Sequence, residues 1–264
     1  MYADWKSQVA YSSPNWNGFS FTVGLTQAWN AHAAGAQSVS DALDTLLADP
    51  TGGGIAGPSG AFGSSYSSAR GGSSPAFEGK ASYEWTGDFA GKVWVSGFSQ
   101  NVKNLAHTGI DPTGTVIVTT QNGNDRANAW DIGATVNVAG FGLTGYYGQG
   151  DGIGQTLILQ DGFDSKGKSR DSDQWYLQAT YTLPGVGTKL GASYGESTLD
   201  GNSATDKFKD IEDSMWTVGA YHPLTKHLNL VAEYSESERD VSNRGAADDK
   251  AKAKTIALGA ILFF

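Results

Sequence analysis

The sequence predicts an all-β fold, an antiparallel transmembrane β-barrel with about eleven strands present, and three observations carry that prediction. Segments of roughly 8–12 residues alternate apolar and polar positions, near the length a tilted spanning strand requires. Short turns and long loops alternate between them. Antiparallel strands place successive connections at opposite ends, so one rim collects the short turns and the other the long loops. The final segment, Thr255–Phe264, puts Ile256, Leu258, Ala260, Leu262 and Phe264 on one strand face and ends on a bare aromatic. In water that strand is an aggregation hazard; against acyl chains it is a closing strand. Taken alone the segment also fits the last strand of a soluble sandwich, but a sandwich has no physical reason to segregate loop length by rim.

The elements follow in order. Gln8–Ser12 is a short strand, and Ser13–Gly18 is a dense turn signal. Phe19, Phe21, Val23 and Leu25 then alternate with polar or small residues to about Trp29. Asn30–Ser74 is a Gly/Ser/Ala-rich insertion, expected as a long outer loop with a short helix over Ser40–Ala48. Phe77, Gly79, Ala81, Tyr83 and Trp85 face one way, and Glu78, Lys80, Ser82 and Glu84 the other. Thr86–Asp88 turns into Gly91–Gln100, and a polar loop, Asn101–Asp125, contains a small strand at Val116–Val118. Strand Trp130–Val138 turns at Ala139-Gly140 into Phe141–Tyr147, followed by a polar loop Gly148–Ser172. The pattern repeats as strands Gln174–Thr182 and Lys189–Ser197, loop Thr198–Asp213, strands Met215–His222 and Leu228–Ser235, and a charged loop Glu236–Ala251. The whole reads as one domain over residues 1–264.

Composition excludes several classes. Among 264 residues there are 36 Gly without a Gly-X-Y period, which removes collagen. A run of about 18 apolar residues is absent, which removes a transmembrane helix but not a barrel, whose strands show water half their residues. The lack of Cys removes disulfides and thiolate chemistry together and suits an oxidising compartment. A formal net charge of -9 without a basic stripe argues against nucleic acid as a partner. Met1–Lys6 has neither the basic start nor the apolar core of a signal peptide.

Several segments resemble a known family: Ser7–Phe19, Trp130–Ala134, Thr188–Tyr194 and Val218–Tyr234, with terminal Phe264 similar to an aromatic assembly signal. In order and spacing they resemble the carboxyl-terminal part of the Gram-negative general diffusion porins of β- and γ-proteobacterial type. That resemblance implies barrels of about sixteen strands, of which these are expected to be the last eleven, without the amino-terminal strands, the signal peptide and most of the constriction loop. It implies passive diffusion of ions and small hydrophilic solutes, a bacterial outer-membrane location, no cofactor and no catalysis. Implied partners are outer-membrane lipid and lipopolysaccharide, the barrel-assembly machinery that reads Phe264, and two further copies in a homotrimer. Eleven antiparallel strands leave the first and last pointing the same way, so closing them requires a parallel seam.

The expected pore-lining residues are Glu78, Lys80, Glu84, Asp131, Asn137, Gln174, Gln178, Lys189 and Glu233, because mixed charges along a water-filled lumen bias ion passage. Singly, each is better explained as solvation of an inner face; as a group they oppose an apolar one. Two other readings, an adhesin or translocator barrel using Asn30–Ser74 and an outer-membrane barrel hydrolase, find less support. His222 and His227 flank the Pro223–Lys226 turn, away from the rim where a barrel hydrolase needs its base. Glu236–Asp240 with Asp248-Asp249 gathers hard oxygen ligands but matches no calcium-loop spacing. Asp151–Gly154 imitates a glycine-rich phosphate loop without a following helix. No metal ligands are expected.

Overall fold

A computed structural model describes residues 7–29, 32–33, 74–102, 106–110, 116–120, 125–155, 158–163, 168–201, 206 and 208–263. In chain order the strands are β1 (Gln8–Ser12), β2 (Phe19–Thr26), β3 (His32–Ala33), β4 (Ala76–Trp85), β5 (Phe89–Val102), β6 (Ala106–Ile110), β7 (Val116–Thr120) and β8 (Asp125–Val138). They continue with β9 (Phe141–Asp151), β10 (Gln160–Phe163), β11 (Asp171–Thr182), β12 (Lys189–Asp200), β13 (Phe208–Pro223), β14 (Leu228–Asn243) and β15 (Asp249–Leu262). Eleven of them form one antiparallel sheet in the order β1-β2-β4-β5-β8-β9-β11-β12-β13-β14-β15. β6 and β7 make a separate hairpin, and β3 pairs in parallel with β10. The sheet is open, with β1 and β15 as its edges. The helix expected at Ser40–Ala48, most of the insertion 30–74, and Phe264 lie outside the described residues.

The tight turns follow from local chemistry. Trp16 and Phe19 exchange backbone hydrogen bonds of 2.8 and 3.1 Å around Asn17-Gly18, both at positive φ, the backbone that suits a two-residue hairpin. Ala139-Gly140 repeats the device between β8 and β9. Gly18 has φ +99°, and a Cβ there would stand 2.3 Å from the Glu84 carbonyl oxygen. Gly18→Ala is therefore expected to destabilise the refolded chain by more than about 1 kcal/mol, read as a lower denaturant midpoint. An unchanged midpoint would contradict this account of the turn.

Two loops expected from sequence are shorter than read. Glu236–Asn243 and Asp249–Ala251 belong to β14 and β15, leaving only Arg244–Asp248 as the connection. The strands persist because charge replaces grease across the hairpin: Glu236 faces Lys254, Glu238 faces Lys252 and Asp240 faces Lys250 in register. Lys250 and Lys252 reach Asp240 and Glu238 at 2.5 and 2.7 Å. Directly opposed opposite charges stabilise an antiparallel pair, so pairing continues beyond the apolar zone. Of the expected loop Thr198–Asp213, Thr198–Asp200 likewise belongs to β12 and Phe208–Asp213 to β13. Loop length thus stops distinguishing the rims at the last hairpin.

Burial is inverted relative to a protein folded in water. One face of the sheet exposes Val95, Ile132, Leu143, Leu177, Val218 and Leu258. Aromatic pairs bound this apolar face at two levels. Trp85 stacks on Tyr83 and Phe89, and Phe141 on Tyr181, towards the short turns; Trp130–Tyr147, Trp175–Tyr194 and Trp216–Tyr234 pair towards the other rim. Trp175 and Tyr181 lie six residues apart on β11, about 20 Å at ~3.3 Å per residue. An apolar band between two aromatic girdles is the lipid-facing surface of a spanning barrel.

Candidate functional site

The opposite face of the sheet is polar and concave: one cavity of about 720 Å³ touches β1, β2, β4, β5, β8, β9 and β11 together. Side chains in register share a face, so the ladders can be followed across the sheet. All nine residues expected along the lumen (Glu78, Lys80, Glu84, Asp131, Asn137, Gln174, Gln178, Lys189 and Glu233) fall on this concave face. They do not converge on one point. They occupy successive levels.

Three levels are continuous. The first runs Thr22, Lys80, Ser96, Asp131, Gly148, Gln174, Ser197, Asp213, Arg239. Within it Ser96 donates to Asp131, and Arg239 lies 3.7 Å from Asp213. Two residues nearer the short turns comes Ser20, Ser82, Trp94, Gly133, Tyr146, Tyr176, Gly195, Met215, Ser237. The third runs Glu84, Lys92, Thr135, Thr144, Gln178, Ser193, Thr217, Ser235. Here hydroxyls pair across strands, Thr135 with Thr144 at 3.0 Å and Thr217 with Ser235 at 2.9 Å, while Lys92 approaches Glu84 at 3.7 Å. Glu233 accepts from Tyr221, and Thr26 donates to Glu78 at 3.2 Å.

Trp94, Tyr146, Tyr176 and Met215 are absent from the sequence-based site. Sequence reasoning sends aromatics to lipid girdles, but parity marks these residues: Tyr146 precedes Tyr147, Tyr176 follows Trp175, and Trp94 sits between Val93 and Val95. Neighbours in a strand face opposite ways, so one aromatic of each adjacent pair must point inward.

The segment after β9, expected as a plain polar loop, folds inward over the concave face. Gly152 and Gly154, at φ +72° and +76°, start the reversal, which is what the glycines of Asp151–Gly154 do. Leu159 and Phe163 are fully buried with Trp29, Ala76, Val102, Ala127 and Ile153, packed against Phe98 and Ile158. Gln100 fixes the start of the earlier insertion by accepting from the Trp29 amide at 2.7 Å and donating to its carbonyl at 2.8 Å. Arg170 is 1 % exposed and meets Asp206 in two contacts of 3.0 and 2.5 Å, while also donating to the Asp161 carbonyl. Ile153 and Ile158 thereby border the large cavity.

Carboxylates crowd the ends of the strands beyond the second aromatic girdle. The Asp151 carboxyl is pushed above its ordinary range by a hydrogen bond to Asp171, then by burial and by the charges of Asp171 and Asp125. Burial pushes Asp200 up first, and the charges of Asp173, Asp171 and Asp210 add to it. Among the described residues no group of three or more His, Cys, Asp or Glu is arranged to hold a metal ion. His222 Nδ1 lies 2.9 Å from the Thr188 hydroxyl, and His227 Nδ1 lies 3.1 Å from the Phe263 carbonyl oxygen. Both histidines thus tie turns and the last strand together at the short-turn rim.

Comparison with known proteins gives the family. No curated protein matches the chain. Among solved structures it resembles the outer membrane channel DcaP of Acinetobacter baumannii, with 11 % identity and a TM-score of 0.61 over 97 % of this chain and 62 % of that one. It also resembles OmpT of Vibrio cholerae (12 %, TM-score 0.56, 98 % and 65 %) and the anion-selective porin of Comamonas acidovorans (13 %, TM-score 0.53, 97 % and 59 %). The chain therefore spans about three fifths of the length of the channels it matches. At such identities the likeness concerns the fold, an antiparallel barrel wall with lipid outside. The family model for Gram-negative porins matches residues 2–242, and the chain belongs to that family of bacterial outer-membrane proteins.

Proposed function

We propose that this chain forms the greater part of the wall of a water-filled channel through which ions and small hydrophilic solutes diffuse passively across the outer membrane. The observation that carries the reading is the division of the sheet: nine polar residues chosen from sequence share its concave face, and its other face is an apolar band between aromatic girdles. Family membership supports it. No covalent step is required; the wall replaces part of each solute's hydration, and its charges set the local field. The complete assembly is proposed to be a homotrimer embedded in outer-membrane lipid and lipopolysaccharide and inserted by the barrel-assembly machinery, as the family resemblance implies. Chemistry on a substrate has no place in this reading.

Charge reversal tests the lining. Glu84→Lys and Asp131→Lys each replace a negative charge on the concave face with a positive one. Either variant is expected to move the reversal potential in a planar bilayer under a salt gradient towards anion preference, with the membrane-inserted fraction unchanged. Stepwise channels with an unaltered reversal potential in both variants would remove these residues from the pore lining. A refolded wild-type chain that inserts and assembles into a closed barrel yet never conducts would overturn the channel reading for this chain.

A further inference from the structure

A lumen that only needs to hold water has no use for a level of aromatic side chains, yet the middle level of the concave face has one. Tyr146 and Tyr176 face each other across β9 and β11 with ring centroids 5.4 Å apart and planes 20° apart. Gly195 follows in register, and a Cβ there would lie 2.8 Å from the Cβ of Tyr176. The glycine makes the room in which this aromatic sits. Met215 comes next, 51 % exposed, and Tyr176 itself is 37 % exposed. The result is an apolar shelf open to the lumen, bordering a second cavity of about 510 Å³. Gln174 donates to the Tyr146 hydroxyl at 3.1 Å and holds that ring in place.

We propose that Tyr146, Tyr176 and Met215 form a stacking shelf for the ring face of a saccharide on its way through the channel. The proposal rests on the channel reading above and adds a solute class to it. A flat aromatic solute is best held in an apolar slot with two walls, since its faces are apolar and its edge carries few hydrogen-bonding groups. This shelf has one wall and is open to water. It is bordered on both sides, one register step away, by polar levels: Asp213 and Arg239 on one side, Gln178 and Ser193 on the other. A pyranose ring matches that layout, with an axial C–H face to lie on a π-system and hydroxyls around its rim to meet amide, hydroxyl and charged partners. Trp94 does not extend the shelf, because the Lys80 ammonium lies 5.5 Å from its ring centroid and occupies it.

The test is titration calorimetry of the full chain refolded in detergent, with maltotriose as probe and p-nitrophenol as the flat aromatic control. Maltotriose is expected to bind saturably; Tyr176→Ala and Met215→Ser weaken it, the former by about tenfold, while Tyr176→Phe stays within about twofold. Leu177→Ala, on the lipid face of the same strand, leaves binding unchanged. Two variants at separate positions keep the test decisive if one fails to refold, as judged by its far-ultraviolet dichroism. Absence of saturable maltotriose binding to folded wild type overturns the proposal, as does binding indifferent to both shelf variants. Tighter binding of p-nitrophenol than of maltotriose overturns the saccharide assignment. Stepwise conductance without saccharide binding defeats the shelf and leaves the channel; saccharide binding without conductance does the reverse.

Discussion

Asp206→Ala is expected to weaken the inward fold of residues 152–155, 158–163 and 168–170 by about 3–5 kcal/mol, the usual cost of leaving one buried charge without its partner. Asp206 supplies both carboxylate oxygens to Arg170, whose side chain is 1 % exposed, so water cannot replace them without opening the segment. The Asp161 carbonyl at 2.7 Å and the Phe208 ring at 4.9 Å remain, but neither carries a compensating charge. Opening is local, because the main sheet is held by its own ladders. Hydrogen exchange should therefore accelerate at the amides of Gly152, Leu159 and Arg170, which are bonded within this segment, and stay slow along β11 and β12. Since Ile153 and Ile158 border the large cavity, the same variant is expected to raise single-channel conductance. Arg170→Met with Asp206→Leu should restore most of the protection, because an apolar pair of similar volume carries no desolvation cost. Unaltered exchange in Asp206→Ala would show that the ion pair does not hold the segment.

What the sequence revealed and what it concealed divide along a physical line. A strand with one face in lipid and one in water must alternate, so β2, β4, β8 and β11 declare both their existence and their orientation. That the nine expected residues share one face follows from parity alone. β14 and β15 beyond the girdles escaped because alternation there is carried by Glu236, Glu238 and Asp240 against Lys250, Lys252 and Lys254, a pattern that reads as a solvated loop until the pairing is known. The inward fold of the described residues after β9 was hidden for another reason. Its small core draws Trp29, Ala76, Val102, Ala127, Ile153 and Phe163 from five separate stretches of chain, each contributing too little apolar length to register by itself. Local pattern fixes a strand's faces; only the assembled register shows which side chains meet.

Leu177→Arg is expected to destabilise the membrane-inserted protein by about 2–4 kcal/mol, whereas Gln178→Arg, its immediate neighbour, should be tolerated. Leu177 is 50 % exposed on the apolar face, two residues from Trp175 and four from Tyr181, and thus near the middle of the band between the girdles. A guanidinium there must either enter hydrocarbon or stretch to a headgroup, and either costs free energy that leucine does not. Gln178 pairs in register with Thr144 and Ser193 on the concave face, where an added charge stays hydrated and alters only the field seen by passing solutes. Denaturant unfolding from lipid vesicles separates the two outcomes, since only Leu177→Arg should lower the midpoint. Equal loss in both variants would mean that both faces of β11 are dry, and equal tolerance that both are wet. Either result would contradict a sheet with lipid on one side and a channel on the other, because that architecture makes adjacent residues of one strand answer oppositely to the same charge.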